Sequence, residues 1–159
     1  MQLAIKNNWI SLGGSSTVQD VNGNDVLKVK GAVFSLTRKK TLMTLEEQHL
    51  YTIRNKFFSL FGRTAFVLDE GGNRVATIRR KLFSLHDKYF VESSVGRMEI
   101  TGNILGYDYH ISVDGKEVGH IARKISLRDS FVLDIDDSFD YRFFVALVIE
   151  IDNVTDRSR

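Results

Sequence analysis

The sequence predicts a mainly β fold: a single closed antiparallel barrel of about twelve strands, built from repeated hairpins and enclosing one buried hydrophobic helix near the C-terminus. Three observations carry this reading. A Ser-Leu turn motif recurs at near-constant spacing, Gly- and Asn-rich tips separate alternating strands, and one late segment is apolar on every side.

The repeat comes first. Phe-Ser-Leu occurs at Phe34-Ser35-Leu36, Phe58-Ser59-Leu60 and Phe83-Ser84-Leu85, and Ile-Ser-Leu at Ile10-Ser11-Leu12 and Ile125-Ser126-Leu127. The serines are spaced by 24, 24, 25 and 42 residues. The last interval holds two shortened units, the second starting near Ile104-Leu105-Gly106, where the serine is missing. Each unit runs from a Ser-Leu turn through a short β-rich run, a polar tip and a second run ending in Lys or Arg. The tips Asp20-Val21-Asn22-Gly23-Asn24, Asp69-Glu70-Gly71-Gly72-Asn73 and Val113-Asp114-Gly115-Lys116 are hairpin signals, because Gly and Asn accept the positive φ of tight turns. Glu46-Glu47-Gln48 is a weaker tip. Between tips the period is two. Tyr107, Tyr109, Ile111 and Val113 alternate with Asp108, His110 and Ser112, and Phe131, Leu133 and Ile135 with Val132, Asp134 and Asp136. A meander of this many half-buried strands avoids exposed edges best by closing on itself.

The late segment runs from Phe139 to Ile151 and contains Phe143-Phe144-Val145-Ala146-Leu147-Val148-Ile149. Its β-branched residues fit a strand as well as a helix. A helix over about 138–152 is favoured: Ser138 can cap it, Asp140 stands in its first turn, and a segment apolar all round needs protein on all sides. It is too short and too closely bracketed by charge for a membrane span, which takes about 20 apolar residues. The domain is expected to occupy residues 1–153, with a polar tail at 154–159.

Composition excludes several classes. A chain of 159 residues fits one domain, and a net charge of +2 argues against a strongly basic nucleic-acid binder, so no nucleic-acid partner is expected. With no Cys there is no disulfide framework, thiolate metal site or cysteine nucleophile, which fits a reducing compartment; cytoplasm is the expected location. The N-terminal residues carry neither a signal-peptide run nor a myristoylation Gly.

No catalytic constellation or cofactor motif emerges. Ser84-Leu85-His86-Asp87 has triad residue types, but neighbours on a turn cannot align a nucleophile, base and orienter, and Ser84 repeats a turn serine. Gly13-Gly14 and Gly71-Gly72 lack the context of phosphate loops. His49, His86, His110 and His120 show no ligand spacing. His110 and His120 flank a predicted hairpin and could meet across it, but they read as surface or rim histidines rather than a metal pair.

The Ser-Leu turns and Asn-Gly tips, the stretch Leu133-Asp134-Ile135-Asp136-Asp137, and the apolar run ending in Ile151-Asp152-Asn153 together resemble the LURP-one-related family over nearly the whole chain. The resemblance implies a tubby-like fold, in which a barrel encloses a central hydrophobic helix, and kinship with Tubby C-terminal domains and phospholipid scramblases. Tubby domains bind phosphoinositides, and scramblases are membrane-attached. No stretch matches a Tubby lipid-binding motif residue by residue, so none is carried over. In scramblases an acidic segment before the corresponding helix meets calcium, which makes Asp134, Asp136, Asp137 and Asp140 a weak cation candidate. The bland alternative is that they face solvent and favour the helix N-terminus.

The basic residues fall at one end of the repeat. Arg54, Lys56, Arg79, Arg80, Lys81, Arg123 and Lys124 end second strands, and Arg63 and Lys88 follow in the turns, with Leu60, Phe61 and Leu85 among them. The opposite end carries Asp20, Asp25, Glu46, Glu47, Asp69, Glu70 and Asp114. The expectation is a non-catalytic binding module whose basic end meets anionic phospholipid headgroups, peripherally at the inner membrane surface, or an acidic protein partner. The competing readings are a structural or protein-interaction module and, most simply, charges placed where strands meet solvent.

Overall fold

The computed structural model describes residues 1–6, 15–32, 35–57, 64–81, 87–103, 108–124 and 130–155, the side chains of 6, 123, 124 and 152–155 excepted. The strands are β1 (Gln2–Lys6), β2 (Ser15–Asp20), β3 (Asp25–Gly31), β4 (Lys40–Met43), β5 (His49–Asn55) and β6 (Thr64–Leu68). They continue with β7 (Arg74–Arg80), β8 (Asp87–Ser93), β9 (Gly96–Asn103), β10 (Asp108–Val113), β11 (Lys116–Lys124) and β12 (Ser130–Ile135), followed by helix α1 (Tyr141–Thr155). Every strand pairs antiparallel with its sequence neighbours, and β1 pairs with β12 to close the barrel. The anticipated fold is the one observed.

The tips show why the units repeat. In three of them the first residue donates its N–H to the carbonyl of the fifth at 2.9 Å: Asp20 to Asn24, Thr44 to Gln48 and Asp69 to Asn73. The fourth residue takes positive φ, at 83° for Gly23, 66° for Glu47 and 80° for Gly72. After each of these tips, and after the two-residue Asp114-Gly115 turn, the ladder shifts by one residue. The unpaired residues are Val26, Leu50, Val75 and Val118, aliphatics that pack on the core. Such bulges bend a strand and increase its twist, which is what closing a sheet requires. The β8–β9 hairpin, whose Ser93–Gly96 turn carries no strong sequence signal, pairs without a shift.

Alternate strand residues such as Val29, Leu42, Ile53, Val67, Val91 and Ile100 point inward and are almost wholly buried. They meet α1, whose residues Phe143 to Ile151 are all buried, over more than two turns and hence on every face. The helix packs mainly on β5, with further contact to β6 and β12. Its cap falls two residues later than anticipated, at Asp140 and not Ser138, and the helix begins at Tyr141. Asp140 Oδ1 accepts the N–H of Arg142 at 3.0 Å, whereas Ser138 donates both its N–H and its hydroxyl to Asp136.

Candidate functional site

Because the sheet is a pure meander, the tips and the helix N-terminus lie at one end of the barrel, and the strand ends that the Ser-Leu segments join lie at the other. The cations that end β3, β5 and β7 therefore converge on the second end. Lys30, Arg54, Lys56 and Lys81 are exposed there, together with Lys39 on the β3–β4 turn. Arg79 is exposed but engaged, its Nη1 standing 2.8 Å from Glu92. Lys88 contacts Glu99 at 2.7 Å and lies 5.0 Å above the Phe90 ring. Lys40, next to Lys39, faces inward and is buried. Arg63 and the apolar candidates Leu60, Phe61 and Leu85 fall outside the described residues, and Arg123 and Lys124 are placed on β11 by their backbone alone.

The Ser-Leu motif is described at Ser35. Its hydroxyl accepts the N–H of Lys39 at 2.8 Å, and its carbonyl accepts that of Arg38 at 3.2 Å, so the serine closes the turn as expected. This pushes Leu36 into solvent at 75% exposure, and the adjacent Thr37 carbonyl receives the N–H of Asn55 at 2.8 Å. That bond ties the turn to the end of β5, where Phe57 is 59% exposed beside Lys56. Two large apolar side chains thus stand among four exposed cations: Lys39, Arg54, Lys56 and Lys30.

Arg80 does not join this surface. It lies opposite Tyr89 in the ladder and points into the barrel mouth, where Nη2 and Nε bind Asp87 Oδ1 at 2.6 and 3.1 Å. Tyr109 donates its hydroxyl to Asp87 Oδ2 at 3.3 Å, and its ring meets that of Tyr89 edge-on at 6.2 Å. Burial, reinforced by Tyr89 and Asp87, pushes the Tyr109 phenol far above its usual range and keeps it a donor. Opposite Tyr109, Gly102 leaves room for that ring, since a Cβ would lie 2.2 Å from it. The sequence reading missed this cluster, because Asp87 and Tyr109 are far apart in the chain and meet only through the register of β8, β9 and β10.

At the acidic end, hydrogen bonds from the Asn24 side chain and backbone hold the Asp20 carboxyl below its ordinary range, and Asn73 does the same for Asp69. The pre-helix acids are each drawn to a different place. Asp136 holds Ser138, Asp137 the Met1 amine, and Asp140 the Arg142 guanidinium, while Asp134 faces outward on β12. Among the described residues they form no convergent ligand group.

The sequence model of one family, LURP-one-related, matches residues 1–152. The chain belongs to the LURP-one-related family. A crystal structure of an Arabidopsis thaliana protein superposes with a TM-score of 0.69 at 21% identity, covering 99% of this chain and 91% of that one, a likeness of fold. No curated protein matches. Among the described residues of this LURP-one-related barrel, no helix is long and apolar enough to cross a membrane.

One further group lies on the outer wall. Asp108, His110 and His120 come together there, although the sequence favours surface or rim histidines over a pair meeting across the hairpin. The obstacle was register. A two-residue Asp114-Gly115 turn with regular pairing sets His110 opposite Gly119 and turns His120 to the other face, but the shift at Val118 sets His110 directly opposite His120.

Proposed function

We propose that this LURP-one-related protein is a non-catalytic binding module whose basic barrel end engages anionic phospholipid headgroups. The observation that carries the reading is the pairing of exposed Leu36 and Phe57 with Lys30, Lys39, Arg54 and Lys56 on one tied surface. Apolar side chains that enter the headgroup region and cations that neutralise it act together. Each Lys or Arg near an anionic surface is worth about 1 kcal/mol. The acidic tips at the far end are repelled by the same surface, so the charge separation orients the barrel with Leu36, Phe57 and the ends of β3, β5 and β7 toward the membrane. Such binding would place the protein peripherally on an anionic leaflet.

Flotation with phosphatidylserine-containing vesicles, against neutral phosphatidylcholine vesicles, tests this. Binding to the anionic vesicles at low salt is expected, with release at high salt. The triple variant Arg54→Glu, Lys56→Glu, Lys81→Glu should lose it. Arg80 is left intact, because reversing it would break the Asp87 pair and confound the result with unfolding. Equal binding to neutral vesicles, or binding unchanged in the triple variant, would overturn the proposal. A second reading, docking to a protein, draws on Val21 and Val95, 67% and 40% exposed at the opposite end. A partner retained at high salt and lost on Val21→Asp would favour it.

A further inference from the structure

We propose that Asp108, His110 and His120 form a binding site for a borderline divalent cation of the Zn²⁺ class on the outer wall of the barrel. One ligand-bearing atom from each residue lies within 4.8 Å of the other two. Donors about 2.1 Å from a tetrahedral ion stand about 3.4 Å apart. Small side-chain rotations therefore bring the three onto one ion, with no movement of the backbone.

The scaffold is rigid where it matters. His110 and His120 are cross-strand partners on β10 and β11, with ring centroids 5.0 Å apart, and Asp108 lies two residues before His110 on the same face. Both strands are paired on their other edges, to β9 and β12. The imidazoles are accessible, their side chains being 52% and 38% exposed.

The surroundings prepare the ligands. His110 Nδ1 is 3.1 Å from Glu117 Oε1. A carboxylate accepting the Nδ1 proton leaves the lone pair on Nε2 and makes it more basic, the arrangement by which outer carboxylates orient metal-binding histidines. His120 Nε2 is hydrogen-bonded directly to Asp108 Oδ1, so an ion would replace the proton that these two ligands share as their side chains rotate apart. On the other side of His120, Asp134 of β12 lies in register and adds negative charge beside the site.

Two imidazoles and one carboxylate select against Ca²⁺ and Mg²⁺, which take oxygen ligands, and suit Zn²⁺, Co²⁺ or Ni²⁺. Three protein ligands on an open wall leave a coordination position for water. Such an ion would fasten β10 to β11. The site lies toward the basic end of the wall, where Lys88 lines the same surface depression, but it uses none of the basic-end cations and does not depend on their proposed function.

Calorimetric titration of the whole protein with Zn²⁺ alone is the test, with Co²⁺ absorption as a second readout. One ion per chain is expected. His110→Asn and His120→Asn should each weaken binding by more than about 100-fold, and Glu117→Gln by about 10-fold, in the range seen when outer-shell partners are removed. His49→Asn, on β5, should leave it unchanged. Because all these side chains are at the surface, circular dichroism should show each variant folded. In proton–nitrogen spectra Zn²⁺ should shift the ring nitrogens of His110 and His120 and not those of His49. Absence of binding at millimolar Zn²⁺, or binding that survives both histidine substitutions, would overturn the assignment.

Discussion

Single residues in this barrel show where local chemistry yields to the fold. Glu47 holds the positive φ of 66° that Gly23 and Gly72 hold in the equivalent tips. For a side-chain-bearing residue the left-handed conformation costs about 1–2 kcal/mol. Its ion pair with Lys28, 3.5 Å long with both side chains well exposed, offsets little of that. Glu47→Gly is therefore expected to stabilise the protein by about 1 kcal/mol, read as a higher urea midpoint at unchanged slope. Asp87 is the opposite case. It is 3% exposed and neutralises Arg80, whose side chain is 14% exposed. Asp87→Ala would strand that guanidinium in the barrel mouth and remove the acceptor of Tyr109, so a loss of about 3 kcal/mol is expected in the same measurement.

Among the elements, the helix is the most exacting. Leu147 is fully buried at the centre of a segment enclosed on every side. Leu147→Asp would place a carboxylate with no partner there, and a loss of more than about 4 kcal/mol is expected, seen as the absence of a cooperative thermal transition. A well-folded variant would contradict the enclosed position of the helix. The helix was legible because an apolar run bracketed by charge has few places to go. Its first residue was not, because Ser138 and Asp140 are both good caps, and only the turn formed by Asp136 decides between them. Strands and tips were legible wherever alternation coincides with Gly beside Asn or Asp, and the Ser93–Gly96 turn was missed because its Gly96 follows Ser-Ser-Val with no Asn or Asp beside it. What the sequence conceals is the one-residue shift at Val26, Leu50, Val75 and Val118. A bulge reverses which face each later residue shows, so neither the meeting of His110 with His120 nor the inward turn of Arg80 rather than Arg79 follows from counting along a strand.

On the scale of the whole molecule, stability depends on a seam between the two halves of the sequence farthest apart. β1 is held between β2 and β12, and without it the barrel becomes an open sheet with two unpaired edges. Ala4 lies at the middle of that strand, opposite Val132 on one side and Gln19 on the other, and its side chain is half-buried on the outer face. Ala4→Pro removes a backbone donor with little change in side-chain volume, so its effect reports on the ladder and not on the core. The seam also joins residues far apart in sequence, whose pairing carries the largest loop-closure entropy in the fold. A loss of about 3 kcal/mol is expected, together with concentration-dependent light scattering as the freed edges pair between molecules. Val95→Pro, on the exposed tip between β8 and β9, is the control that should change stability far less. If Ala4→Pro melts like the parent protein and stays monomeric, β1 is not what closes the barrel, and the enclosure of α1 on every side, which depends on closure, loses its structural basis.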